Sequence, residues 1–313
     1  MKRIFALLIA LSLAISMVGC MSEPQSDLVE PNDVATQPAG DGGSVENGGQ
    51  EPASDASQDV ATASSSHSET ISETVLVDQN GVKITAKSLD FDGFMGPELK
   101  LLIENNSGKS LTFQSSNASV NGYMVETIMS VDVADGKKAN DSLTFSPTDL
   151  NLCGIETVAD MEFSFHIFDA ESWDTYLDTE PIKLETSAAS GYTYTFDDSG
   201  TAVYEGNDVR IVLKGLSTDS WLGQELVVYI ENNSGRGITV QTRNVSVNGF
   251  MMEPIFSSDV APGKHAIDDI TFMDSDFEDN GITNIETVEL SFHIFDLETW
   301  DTTVDTEPVT VTF

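Results

Sequence analysis

Alternation of apolar and polar residues runs through most of residues 72–313, and one stretch shows it most clearly. In EFSFHIF, residues 162–168, an extended chain puts Phe163, Phe165 and Ile167 on one face and Ser164, His166 and Phe168 on the other. The pattern predicts a strand whose first set faces a core. The stretch also recurs: residues 164–181 read SFHIFDAESWDTYLDTEP and residues 291–308 read SFHIFDLETWDTTVDTEP. Asp169 and Asp296 lie 127 positions apart, and that offset holds without a gap from Val82 and Val209 to Phe313. One domain is used twice.

The other elements follow from strand periodicity and turn chemistry. Strands are predicted over residues 74–77 and 82–89, joined at Asn80-Gly81, because Asn-Gly supplies the positive φ of a tight hairpin. ELKLLIE (98–104) precedes the turn Asn105-Asn106-Ser107-Gly108 and a strand over 111–114, and ELVVYIE (225–231) repeats the arrangement. Short strands over 118–120 and 123–128 flank Asn121-Gly122, matched by Asn248-Gly249, and a further strand over 142–145 follows. Ser146 as cap, Pro147 in the first turn and Gly154 past the end predict a short helix over 147–153. In the second copy, acids from Asp274 onward and Asn280-Gly281 bound the matching segment. Strands over 182–184 and 309–311 close each copy.

Many short strands joined by hairpin turns, without crossover helices, predict an all-β fold of two tandem immunoglobulin-like antiparallel β-sandwiches. The expected organisation is a signal peptide (1–19), an acidic tether (20–70), sandwich repeat 1 (71–187), a connector (188–198) and sandwich repeat 2 (199–313). Tyr192, Tyr194 and Phe196 in the connector predict that it packs against a domain. Cys153 faces Asn280 in the repeat alignment, so no bridge is expected within a domain.

Charge narrows the class of partner. With 52 acidic and 14 basic residues the formal charge is -38, a field that repels phosphate backbones and excludes nucleic acid as a partner. At the N-terminus, Lys2 and Arg3 precede an apolar run over 4–17 that is shorter than a membrane span and ends on Met17-Val18-Gly19-Cys20, the form of a secretory signal. Those last four residues resemble the lipobox of bacterial lipoproteins, which implies lipidation of Cys20 and a membrane partner through that lipid. Residues 21–70 hold no aromatic residue and no Lys or Arg, and their Ser, Gly, Pro and acidic content predicts a disordered tether.

With LLIENNSGKSLTFQSSNASVNGYMV and FSFHIFD added to these features, the chain resembles Gram-positive bacterial surface lipoproteins with tandem immunoglobulin-like repeats. The resemblance implies fold and an extracytoplasmic, lipid-anchored location at the cell membrane. It brings no activity with it.

Motifs of hydrolases, zinc peptidases, phosphate-binding loops and dinucleotide sites are absent from the sequence, so a non-catalytic binding or adhesion module with a protein or glycan ligand is expected. The alternative is a Ca²⁺-dependent envelope structural protein. Its candidate ligands are Asp169, Glu171, Asp174 and Asp178, repeated as Asp296, Glu298, Asp301 and Asp305, because hard cations gather carboxylate oxygens. Asp is equally favoured in turns, where its carboxylate accepts from nearby amides. No cofactor other than that Ca²⁺ is expected. Candidate ligand contacts are the large side chains near turns: Phe94, Tyr123, Met124, Trp173 and their counterparts Trp221, Phe250, Met251 and Trp300.

Overall fold

The computed structural model describes residues 68–217 and 223–313. In repeat 1 the strands are β1 (Thr74–Gln79), β2 (Val82–Asp90), β3 (Glu98–Asn105), β4 (Leu111–Val120), β5 (Tyr123–Met124) and β6 (Thr127–Ile128). They continue as β7 (Ser130–Val133), β8 (Lys137–Phe145), β9 (Asp160–Asp169), β10 (Thr175–Asp178) and β11 (Ile182–Glu185). Repeat 2 holds β12 (Thr201–Gly206), β13 (Val209–Ser217), β14 (Gly223–Asn232), β15 (Ile238–Val247) and β16 (Phe250–Met251). Its remaining strands are β17 (Ser257–Val260), β18 (Lys264–Met273), β19 (Thr287–Asp296), β20 (Thr302–Asp305) and β21 (Val309–Thr312). Helix α1 (Pro147–Leu152) follows β8 and helix α2 (Asp274–Asn280) follows β18.

Each repeat is a sandwich. In repeat 1 one sheet runs β1-β2-β3-β8-β6 and the other runs β10-β9-β4-β5, with β11 on β9 and β7 on β4. Past the extra strand β1, the order β2-β3-β8-β6 against β10-β9-β4 is the A-B-E-D and G-F-C arrangement of immunoglobulin-like domains. Repeat 2 follows the same plan, with β12-β13-β14-β18 facing β15-β19-β20. Phe163, Phe165 and Ile167 of β9, and Phe292 and Ile294 of β19, are buried between the sheets, where the alternation placed them.

Three local readings change. The strands expected over 111–114 and 118–120 are one strand, β4, which a bulge bends between Ser116 and Ser119. Asn117 sits there at φ 51°, and Asn244 repeats it at φ 52°; Asn tolerates this left-handed region better than other side chains. The strand expected over 123–128 splits, because β5 stays on β4 while β6 crosses to β8. The strand expected over 142–145 begins earlier, at Lys137, where β8 pairs along the whole of β3.

The caps follow local chemistry. Ser146 Oγ accepts from the Asp149 amide at 3.2 Å to open α1, and Gly154 past its end has φ 63°. The Asn-Asn-Ser-Gly turns carry a pin. Asn105, fully buried, donates through Nδ2 to the carbonyls of Lys109 (2.8 Å) and Val133 (2.6 Å) and accepts from the Ser107 amide. Asn232 repeats this with the carbonyls of Arg236 (2.9 Å) and Val260 (2.8 Å). Among the described residues no helix is long and apolar enough to cross a membrane.

Candidate functional site

The repeated SFHIFD segment builds the same surface feature on both sandwiches. Beyond β9 the chain turns on Asp169, whose Oδ1 accepts from the amides of Glu171 (3.0 Å) and Ser172 (3.2 Å) while Lys109 Nζ donates to Oδ2 at 2.8 Å. Lys109, then those two amides, hold the carboxyl down at about 2. The turn brings the Trp173 amide to the Asp169 carbonyl at 2.9 Å and sets Trp173 at φ 63°, a costly conformation for a bulky residue. Its indole stacks on Phe168 with ring centroids 5.5 Å apart at 18°, and the residue remains 73% exposed. His166 packs on the same Phe168 ring at 5.3 Å, and its Nδ1 lies 2.5 Å from Asp178 Oδ1 on β10.

Repeat 2 reproduces each step. Asp296 Oδ1 accepts from the amides of Thr299 (2.9 Å) and Glu298 (3.0 Å), and these interactions lower its pKa, the Thr299 amide most. Trp300 stands at φ 65°, stacks on Phe295 at 5.6 Å and 21°, and is 59% exposed. His293 Nδ1 sits 2.6 Å from Asp305 Oδ1, with Arg243 3.5 Å from the same oxygen. The tryptophans therefore do not plug the sandwich ends. Each presents an indole backed by a buried phenylalanine.

The acidic residues of this segment have separate tasks. Asp169 and Asp296 close turns, Asp178 and Asp305 pair with histidines, and Glu171, Asp174, Glu298 and Asp301 lie exposed on the surface. Among the described residues no group of three or more His, Cys, Asp or Glu is placed to hold a metal ion.

The remaining candidate contacts divide between surface and interior. Phe94 is 90% exposed, and Phe250 and Met251 are 46% and 68% exposed at the tip of the β15–β16 hairpin. Beside that tip Met251, Met252, Glu253, Asp276 and Asn280 line an open depression. Tyr123 is a correction. As a candidate ligand contact it would need to be open to a partner, yet it is 4% exposed because it is seated against repeat 2, with Met124 beside it packed on the repeat 2 core. Cys20 and Trp221 lie outside the described residues.

The seat of Tyr123 is a second feature, which strand alternation alone did not reveal. Val212, Val227, Tyr229 and Ile267, on the outer face of β13, β14 and β18, form a buried apolar layer with Tyr123. Leu152, Cys153 and Ile155 from the end of α1 and Phe196 from the connector pack against it. The His265 amide donates to the Gly122 carbonyl at 3.0 Å, a one-residue parallel pairing that links a sheet of each repeat. Phe196 stacks on the His265 ring with centroids 3.6 Å apart, and burial lowers the His265 pKa. At Gly122, with φ 87°, a Cβ would come within 3.2 Å of the Phe196 ring, whereas at Gly249 it would meet nothing within 4 Å.

The connector is held throughout. Asn121 Nδ2 donates to the Tyr192 hydroxyl at 3.0 Å, Tyr194 donates to Asp160, and the Asp197 amide donates to the Tyr123 hydroxyl at 3.0 Å. Lys214 Nζ, itself buried, donates to Asp197 Oδ2 at 2.8 Å and lowers the pKa of that carboxyl to about 2. Lys264 of repeat 2 meets Glu162 of repeat 1 at 3.0 Å. Cys153 is the one free cysteine among the described residues, and burial pushes its thiol up to about 12, leaving it an unreactive packing group.

No family model and no curated protein matches the chain. Among solved structures the YadV chaperone is 10% identical, covering 69% of this chain and 92% of that chain, with a TM-score of 0.22. A chain of the Salmonella enterica SafA pilin–SafB chaperone complex is 11% identical over 76% of this chain and 98% of its own, with a TM-score of 0.22. Red sea bream transglutaminase is 10% identical over 77% of this chain and 31% of its own, with a TM-score of 0.19. Likeness at this level extends to neither activity nor partner.

Proposed function

We propose that the protein is a lipid-anchored, extracytoplasmic surface protein whose paired immunoglobulin-like sandwiches form a non-catalytic binding module for a protein or glycan ligand of the cell envelope. The observation that carries the reading is the duplicated platform: Trp173 on Phe168 and Trp300 on Phe295, each exposed and each held at a positive φ. Backbone strain kept at the same place in two copies, and spent on displaying an indole, fits a recognition role better than a packing role. Two such platforms on one chain bind a repetitive ligand with an avidity that neither reaches alone. The anchor rests on the residue pattern ending at Cys20.

The test uses the full chain, solubilised in detergent, against arrays of envelope glycans and envelope proteins. Binding that falls at least tenfold in Trp173→Ala and again in the Trp173→Ala, Trp300→Ala double variant supports the reading. Binding unchanged in the double variant overturns it. For the anchor, Cys20→Ser is expected to move the protein from the membrane fraction to the soluble fraction, and its retention in the membrane contradicts lipidation there.

A further inference from the structure

Beside each tryptophan platform the same sheet carries a row of polar side chains, and both repeats build it alike. Residues directly opposite on neighbouring antiparallel strands project from the same face of a sheet. On the outer face of repeat 1, Ser130 of β7, Gln114 of β4, His166 of β9 and Asp178 of β10 stand in register across four strands. Gln114 Nε2 donates to Ser130 Oγ at 3.2 Å and His166 Nδ1 meets Asp178 Oδ1, which ties the row together in two pairs. Phe168, two positions beyond His166 on the same side of β9, carries Trp173 at the edge of the row. In repeat 2 Ser257, Gln241, His293 and Asp305 take the same register, and the Gln241 bond to Ser257 is again 3.2 Å.

Folding does not require this likeness. Polar side chains open to water are where substitutions cost least, and their hydrogen bonds add only modestly to stability. The core itself has drifted between the copies, with Phe113 and Phe163 of repeat 1 becoming Val240 and Leu290. On the outer face of the opposite sheet Lys100 gives way to Val227. The row, the phenylalanine and the tryptophan are nevertheless the same residues in both repeats. We propose that this face of each repeat binds an uncharged oligosaccharide, an inference that rests on the binding role proposed above and gives its ligand class. The electron-rich face of an indole meets the C–H groups of a pyranose ring, whose hydroxyls then point sideways to groups that donate and accept. Gln114 supplies an amide, His166 the ring nitrogen not engaged by Asp178, and Asp178 its second oxygen. Neighbouring strands lie about 4.8 Å apart, close to the length of one pyranose unit, so the row spans about 14 Å and takes about three units. The charge of -38 selects against uronic acids and phosphate-bearing glycans. The carboxylate of the row is engaged by His166, so it does not stand as a bare charge for a cationic peptide. In repeat 2 Arg243 replaces Ser116 and lies 3.5 Å from Asp305, so the two faces are expected to differ in affinity and to share a ligand class.

The test is calorimetric titration of the full chain in detergent with tetrasaccharides of neutral hexoses and of N-acetylhexosamines, and with a uronic-acid tetrasaccharide as the anionic comparison. At least one neutral tetrasaccharide is expected to bind, and the anionic one to bind at least about tenfold more weakly. The Gln114→Ala, Gln241→Ala double variant should weaken binding about fivefold, as loss of a hydrogen bond does at each face. Gln114→Glu with Gln241→Glu, which keeps the shape and removes the donor, should do the same with the melting temperature held. Lys100→Ala, on the opposite sheet, should leave binding unchanged. No binding of any neutral tetrasaccharide, equal binding of the anionic one, or unchanged binding in both glutamine variants overturns the inference. A chain that binds no tetrasaccharide but loses an envelope protein in the Trp173→Ala, Trp300→Ala variant refutes the glycan and keeps the binding module. A chain that binds neither kind of ligand fails at the broader reading.

Discussion

Four positions on the outer face of the first sheet separate the two repeats. Thr85, Lys100, Leu102 and Asn140 occupy them in repeat 1, and Val212, Val227, Tyr229 and Ile267 occupy them in repeat 2. Inner-face residues such as Ile84, Leu101 and Ile103 match Ile211, Val228 and Ile230, all buried. The fold is thus held by one alternating set, and the other is free to record what lies outside. In repeat 1 Lys100 pairs there with Glu98 and Asp90 on the surface. In repeat 2 the layer is dry because the Tyr123 hairpin and the end of α1 cover it. The hairpin tips differ in the same sense: Tyr123 is docked, whereas Phe250 and Met251 remain exposed. A duplicated domain here has become a directional pair, with one repeat supplying the tip and the other the seat.

The largest expected effect comes from giving repeat 2 the residue that repeat 1 carries. Val227→Lys buries a charge in the seat and should cost about 3 kcal/mol, splitting one melting transition into two in calorimetry. Lys100→Val, the reciprocal change on an open face, should alter stability by less than about 0.5 kcal/mol. Next are the buried pins, which the two repeats share. Asn105→Ala strands two carbonyls and Asn232→Ala three, and each should cost about 2 kcal/mol in denaturant unfolding; a large inequality between them would mark a real difference in the turns.

A smaller effect on stability is expected at the platforms. Trp173→Gly relieves a positive φ but removes the stack on Phe168, so stability should change by no more than about 1 kcal/mol while ligand binding is lost. Trp300→Gly should behave alike. The smallest is at the acidic loops, where Asp169 and Asp296 already accept backbone amides: millimolar Ca²⁺ and chelator should give the same melting temperature, checked by differential scanning fluorimetry. A rise with Ca²⁺ would support the cation-dependent reading.

Much of the fold was legible in the sequence, because strand alternation, Asn-Gly turns and the Ser-Pro…Gly helix bounds are local signals. The displayed tryptophans were legible as candidates. Their exposure was not, since it depends on Asp169 and Asp296 turning the chain back over Phe168 and Phe295. The seat left a signal that alternation read within one repeat passes over: ELVVYIE replaces ELKLLIE, and the VRIVL of β13 replaces VKITA. A strand apolar on both faces is buried on both faces. The hairpin tip was harder, because Tyr123 and Phe250 are chemically similar and only the far surface decides which is covered.

The directional pairing is tested most directly by backbone ¹⁵N relaxation on the full chain. The seat on Val212, Val227, Tyr229 and Ile267 predicts one rotational correlation time for the amides of both sandwiches, and two separate, shorter times in Val227→Lys. Two separate times in the wild type would contradict it.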